Sequence, residues 1–323
     1  MSPPQAKIVF LDAATYGDVS LSRFTALWDC AVHQITKPSE TARRLVGHTV
    51  AVTNKVAIDE LVLCSPEARD LKLIAVAATG TDIIDREAAS ARGVKVCNVP
   101  DYATESVAQF TIALILELAA RAGTYRNAVR RGEWEKSPVF ALLSYSAVEL
   151  KGKKLGIIGY GNIGRRVAEI ARGFGMEILI AARATSAVRN DRVPIDDLLR
   201  QADIVSLHCP LTPKTRNLIN RQTLSLMKPT AFLINTARGA LIDETALIDA
   251  LAKNLISAAA VDVLTTEPPA PEHPIIRASK TLENLIVTPH TAWSAREARE
   301  RLLDAVKENI SAFLRGEPRN LVS

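Results

Sequence analysis

Gly159-Tyr160-Gly161-Asn162-Ile163-Gly164 follows the apolar run Leu155-Gly156-Ile157-Ile158 and leads into a helix-like stretch, Arg165 to Gly175. Nothing else in the chain restricts its fold so tightly. At this spacing the first glycine allows a tight strand-to-helix turn and the second leaves backbone bare for a close-lying group. The third lets helix and strand pack closely. The helix N-terminus then aims free N–H groups and the positive end of its dipole into the turn, which suits a phosphate. Val167, Ile170, Ala171 and Phe174 recur at helical spacing, as a helix lying on a sheet requires. The segment predicts a dinucleotide-binding strand–helix unit.

The flanking sequence extends that unit in both directions. Ile8-Val9-Phe10-Leu11, Val50-Ala51-Val52, Leu73-Ile74-Ala75-Val76 and Val94-Lys95-Val96 read as strands, separated by helical segments at Arg23 to Trp28, Pro38 to Val46, Asp59 to Leu63 and Arg86 to Arg92. Such alternation indicates a parallel α/β sheet. A long helix is expected from about Thr104 to Arg130, then a looser stretch, Gly132 to Ser146. The second series has strands at Lys154 to Ile158, Ile178 to Ala181, Ile204 to Leu207, Ala231 to Ile234, Ala258 to Val261 and Leu285 to Val287, before a last helix from Ala295 to Leu314. At 323 residues the chain exceeds what one hydrophobic core usually serves.

Composition removes several classes. The apolar run from Phe110 to Ala120 contains Glu117 and is too short to cross a bilayer. Met1 to Ile8 lacks the basic region and apolar core of an export signal. Cys30, Cys64, Cys97 and Cys209 are widely spaced, without a metal-site pattern, and each lies in or beside an apolar stretch. Reduced, mostly buried thiols and a cytoplasmic setting are expected, with no bound metal. The net charge of +5 is spread among acids with no basic tail, so no nucleic-acid or membrane partner is expected; it would help attract anionic ligands.

Three further segments sit just after strands of the second series, where open α/β sheets place their ligands. They are Asn235-Thr236-Ala237-Arg238-Gly239, Asp262-Val263-Leu264-Thr265-Thr266-Glu267-Pro268 and Thr288-Pro289-His290-Thr291-Ala292-Trp293. With the glycine motif, Gly80-Thr81 and His208-Cys209-Pro210-Leu211, they resemble the D-2-hydroxyacid dehydrogenase family over nearly the whole chain. Within it the chain looks most like glycerate dehydrogenases, also called hydroxypyruvate or glyoxylate reductases.

The resemblance implies two doubly wound, Rossmann-like parallel-sheet domains with the active site in the cleft between them. Residues 1–100 and 291–323 would form the discontinuous substrate domain, and residues 101–290 the nicotinamide dinucleotide domain. Reducing a 2-oxo acid needs a hydride at the carbonyl carbon, a proton at its oxygen and a cationic anchor for the carboxylate. The resemblance makes Arg238 the anchor, whose guanidinium offers paired donors, and His290 the general acid, or base in the oxidation direction. Glu267 would bond the other imidazole nitrogen and orient the ring. Thr79 and Gly80 would belong to a loop whose backbone amides bind the carboxylate. Asn54-Lys55 would line the same cleft or form a solvated turn.

Cofactor contacts carried over from the resemblance are Gly159, Gly161, Asn162, Ile163 and Gly164 at the pyrophosphate, and Val107 near the nicotinamide. Cys209 and Pro210 would lie beside the adenosine, and Thr215, Thr236 and Asp262 would complete the pocket. NAD-specific sites carry an acidic residue at the end of the second strand. Here that strand ends in Ala182-Arg183. A guanidinium without a carboxylate suits the 2′-phosphate of NADP, with Ser186 and Arg189 assisting, so NADP is the expected preference and NAD a possible alternative. A homodimer through the long helix and the Phe140-Ala141-Leu142-Leu143 loop is expected. Two rivals stay open: a nicotinamide-sensing, corepressor-like binding protein on the same fold, and a dehydrogenase for another 2-hydroxy acid. The family's formate dehydrogenases place Gln where this chain has Glu267, which argues against them.

Overall fold

The computed structural model describes residues 6–182 and 192–322. The chain divides into two compact units, Met1–Ala103 with Ser294–Ser323, and Thr104–Trp293.

The first unit holds five strands: β1 (Lys7–Phe10), β2 (Asp29–Val32), β3 (Val50–Thr53), β4 (Leu73–Val76) and β5 (Lys95–Cys97). All pair in parallel, in the order β2-β1-β3-β4-β5. The inner strands β3 and β4 are buried along their whole length, which is why they read as continuous apolar runs. Strand β2 escapes the sequence reading because it is an edge: Asp29 and Val32 are exposed and the two residues between them half-buried. The helix Arg296–Leu314 belongs to this unit. It buries Ala298, Leu302, Leu303, Val306 and Ile310, and Arg299 Nη1 donates to Tyr16 O (2.6 Å) and Asp18 Oδ1 (2.8 Å).

The second unit holds β6 (Lys154–Ile158), β7 (Glu177–Ile180), β8 (Ile204–Leu207), β9 (Phe232–Asn235), β10 (Ala258–Val261) and β11 (Leu285–Val287). Its order, β11-β10-β9-β8-β6-β7, is again all parallel. In each sheet the first strand lies between the second and the third, so successive connections diverge there and leave a crevice at the strands' carboxyl ends. Apolar layers cover both faces of the second sheet. Leu155, Ile157, Val167, Ala171 and Ile115 pack on one, and Ile158, Leu198, Leu199, Leu207 and Leu247 on the other.

The long helix read from the sequence is two helices, Thr104–Ala120 and Ala122–Arg130, bent by 57°. Arg121 takes a left-handed backbone (φ 54°), and the Glu117 carboxylate accepts from Gly123 N (2.9 Å), capping the second helix. The one acid in the apolar run marks the break. Among the described residues no single helix is long and apolar enough to cross a membrane; only this bent pair passes that test, by length and composition. The four cysteines are free, but Cys64 is exposed and Cys30 and Cys209 are half-buried; only Cys97 is buried as expected. Cys64 sits just past the short helix Glu60–Leu63, where its neighbour Leu63 takes the inward position.

Candidate active site

The second unit's crevice is built from the glycine turn and the loop after β8. Gly159 has φ +103°, and a Cβ there would overlap the backbone of His208 and Cys209. A Cβ on Gly164 would overlap the Gly159 carbonyl. Those two glycines answer to packing within the protein. Gly161 does not: its φ is −83° and, among the described residues, nothing lies within 4 Å of its missing Cβ. Its bareness faces outward at the start of the helix Asn162–Gly173, as approach by a dinucleotide's pyrophosphate requires. The residues present therefore fit such a cofactor.

The loop after β8 is braced from within. His208 N donates to Ile158 O (2.7 Å), and Thr215 Oγ1 donates to Pro210 O (2.7 Å), closing the turn that carries Cys209 and Pro210. His208 Nε2 pairs with the buried Ser206 hydroxyl at 2.9 Å, and burial pushes its pKa down to about 4, so the ring is neutral near pH 7. Burial pushes the Cys209 thiol up to about 11, which removes it as a thiolate nucleophile.

Three loops at the ends of β9, β10 and β11 carry the reactive side chains. Asn235, fully buried at the end of β9, donates from Nδ2 to Arg238 O (2.9 Å) and accepts at Oδ1 from Ala237 N (3.0 Å). This bracket fixes the backbone from which Arg238 projects. Gly239 then lies flush on the next loop, since a Cβ there would overlap Leu264 C and O and Thr265 N. In that loop Glu267 Oε1 accepts from Leu264 N (2.8 Å), and Oε2 meets His290 Nδ1 at 2.5 Å. The His290 and Glu267 side chains are 26% and 30% exposed, so the pair is reachable while partly desolvated.

His290 sits in the left-handed region (φ 53°), held by its N–H donating to Asp262 O (2.8 Å) and Thr288 O (3.1 Å). Buried Asp262 is the centre of this loop. Its carboxylate accepts from Thr288 Oγ1 (2.6 Å), Thr291 N (3.0 Å) and Ala292 N (2.9 Å). Ser106 Oγ also donates to Ala292 O (2.7 Å), and the hydroxyls of Thr111 and Thr236 meet at 2.9 Å, tying the helix Thr104–Ala120 to these loops. Val107 is buried one turn from Thr111 on that helix. Asn162 is exposed and Ile163 half-buried at the start of the helix after the turn.

The structure thus brings Glu267 and His290 into contact and sets Arg238 on the adjoining loop. Thr79 and Gly80 follow β4 in the first unit, where Thr79 Oγ1 donates to Val99 O (2.9 Å) and Asn98 Nδ2 to Thr79 O (2.7 Å). Asn54 and Lys55 are not a free turn: their N–H groups donate to Asp12. Arg183, Ser186 and Arg189 lie outside the described residues. Sequence reasoning missed Asn235, Gly239 and Arg192 as contributors. The signal for the first was a polar residue closing an apolar strand three places before an arginine. Arg192 Nη1 donates to Ala181 O (3.3 Å) at the end of β7, and its guanidinium lies 5.4 Å from the centre of the Tyr160 ring.

Comparison with known proteins identifies the family. Residues 112–292 match the D-isomer specific 2-hydroxyacid dehydrogenase, NAD binding domain. The chain is 41% identical to a glycerate dehydrogenase of Methylorubrum extorquens, over 98% of each chain. It is 36% identical to a hydroxypyruvate reductase of Blautia hydrogenotrophica, over 98% of this chain and 99% of that one. Among solved structures, an acyclic imino acid reductase in complex with NADPH and D-Arg superposes with a TM-score of 0.85 at 29% identity, covering 98% of this chain and all of that one. The chain belongs to the D-isomer specific 2-hydroxyacid dehydrogenases, nicotinamide-dependent oxidoreductases acting on CH–OH groups.

Proposed function

We propose that this dehydrogenase interconverts hydroxypyruvate and D-glycerate, with glyoxylate as a second substrate. The observation that carries the reading is the Glu267–His290 contact on a loop packed against that of Arg238. With Nδ1 engaged by Glu267, the imidazole has Nε2 for the substrate, and from it gives a proton to the carbonyl oxygen as that becomes the hydroxyl. Arg238 holds the carboxylate and keeps the carbonyl carbon in line. Gly159, Gly161, Gly164 and the Cys209-Pro210 loop would hold the nicotinamide cofactor, which supplies the hydride when bound. Thr79 and Gly80 are assigned to the substrate carboxylate. The near-full-length likeness to a glycerate dehydrogenase and a hydroxypyruvate reductase supports the small C3 group.

NADP is the cofactor proposed. Ala182 at the end of β7 offers no carboxylate to repel a 2′-phosphate, and Arg192 brings a cation to that strand end. The NADPH bound to the imino acid reductase is in keeping with this. A cytoplasmic homodimer is proposed as well. Phe140, Leu143 and Val139 are 92%, 80% and 56% exposed, an apolar surface that a second copy would cover. Light scattering should then give twice the chain's mass.

Steady-state rates with hydroxypyruvate, glyoxylate, pyruvate and a bulky aromatic 2-oxo acid, each with NADPH and NADH, test the reading. Hydroxypyruvate with NADPH should give the highest kcat/KM. Preference for the aromatic acid would overturn the substrate assignment, and preference for NADH the cofactor assignment. Absence of turnover with any 2-oxo acid would favour the nicotinamide-sensing alternative.

A further inference from the structure

A second carboxylate–imidazole pair stands behind the catalytic one. Glu244, at the start of the helix Glu244–Ala252, accepts at Oε1 from Thr265 N (2.8 Å). Its other oxygen, Oε2, lies 3.4 Å from His273 Nε2. The two side chains are only 13% and 11% exposed, less than half as much as Glu267 and His290. His273 Nδ1 is buried with no partner among the described residues, so the ring nitrogen that meets an acceptor at ion-pair distance is the one facing Glu244. A charged residue kept this far from water at a helix start is doing more than favouring the helix dipole, which an exposed acid does as well.

Its contact falls at a decisive place. Thr265 N belongs to the peptide next to Leu264, whose own N–H aligns Glu267. That same peptide is the surface on which Gly239 rests, one residue from Arg238. Two contacts therefore fix the Leu264–Thr265 peptide, Glu244 from one side and Gly239 from another, and the Leu264 N–H that aligns Glu267 belongs to the peptide immediately before it. Removing the first lets the peptide tilt, and both Glu267 and the Arg238 loop lean on it.

We infer that Glu244, steadied by His273, is a positioning residue that sets Glu267, and through it His290, at the working geometry. This rests on the catalytic reading of His290 and Glu267 given above. A misplacement of the order of 1 Å at a reacting group costs up to about a hundredfold in rate. Glu244→Ala should therefore lower kcat by about ten- to a hundredfold while KM for cofactor stays near the wild-type value. Glu244→Gln keeps an oxygen for Thr265 N and an amide for His273, and should recover most of kcat. Glu244→Asp keeps the charge but draws the oxygens back, and should behave like Glu244→Ala. His273→Ala should fall between wild type and Glu244→Ala.

The experiment measures kcat and KM for these four variants, with His290→Ala as reference, and checks folding by NADPH quenching of tryptophan fluorescence. Should Glu244→Ala not fold, the Asp and Gln variants decide the matter. Wild-type kcat in Glu244→Asp, or a Gln variant as impaired as the Asp one, overturns the inference. Undiminished kcat in His290→Ala would instead bring down the catalytic reading beneath it.

Discussion

The two sheets share one strand order, yet they treat the crevice it creates in opposite ways. In the second unit, between β6 and β8, Gly161 leaves the backbone bare and none of the described residues fills the space beside its missing Cβ. In the first unit, between β1 and β3, the protein supplies its own anion. The Asp12 carboxylate is buried there and accepts from Asn54 N (3.0 Å), Lys55 N (2.6 Å) and Val56 N (3.3 Å). The same converging amides that could bind a phosphate are occupied from within. A doubly wound sheet offers a ligand site by topology, and one side chain decides whether that site is open or has become part of the core.

If this contrast is right, substitutions at the second sheet's strand ends should cost chemistry and those at the first should cost stability. The largest effect is expected for His290→Ala, which should lose about 10²–10⁴-fold in kcat with its melting temperature unchanged. A variant that unfolds instead would mean that His290 is a structural residue of its loop. Next comes Gly161→Val. The backbone there is extended, and the cost to stability should be that of a poorer N-cap residue, about 1 kcal/mol. NADPH affinity should fall more than about tenfold, or 1.4 kcal/mol, as read by fluorescence titration; unaltered affinity would show that no cofactor approaches this glycine.

Asp12→Ala is the mirror experiment. It strips three backbone donors of their acceptor and should lower stability by about 1–3 kcal/mol in urea unfolding, leaving NADPH affinity intact. Smaller still are the pH effects, which should have opposite signs. Burial raises the Asp12 carboxyl above its ordinary 3.8, outweighing the backbone N–H groups that lower it. Its contribution is thus complete below pH 3.8 and is lost as pH rises through the raised folded value. His208 behaves the other way. Its contribution is present above pH 6.5 and is lost as pH falls through its folded value of about 4. Melting curves of Asp12→Asn and His208→Gln against wild type should diverge in these opposite directions; parallel curves would remove the distinction.

How much of this could be read from the residues varies with depth in the fold. Inner strands such as β4 and β10 were plain, because a strand buried on both faces reads as a nearly continuous apolar run. Strand β2 was not, because an edge strand half in water carries no such pattern. The break at Arg121 was hidden because helix propensity is local. The reason for the break is a carboxylate four residues back capping an amide ahead. At the site, the glycine turn and the order Arg238, Glu267, His290 were legible as motifs. The braces were not: Glu244 and Asp262 act through hydrogen bonds between segments that the sequence sets apart, and Asn235 through a local bracket that no apolar pattern marks. The resemblance assigns Asp262 to the cofactor pocket; the task its three bonded donors show is holding the His290 loop.

The flush seating of Gly239 on the Leu264–Thr265 backbone has a thermodynamic meaning beyond fit. Two loops that touch through bare backbone cannot slide past one another, so the cation on one and the carboxylate on the other fluctuate as a single body. The configurational entropy lost in aligning them is surrendered once, when the chain folds, and not again at every encounter with a substrate. A methyl group at position 239 would overlap that backbone and force the two loops apart, so the deficit would appear in the melting temperature and in the activation entropy of turnover together.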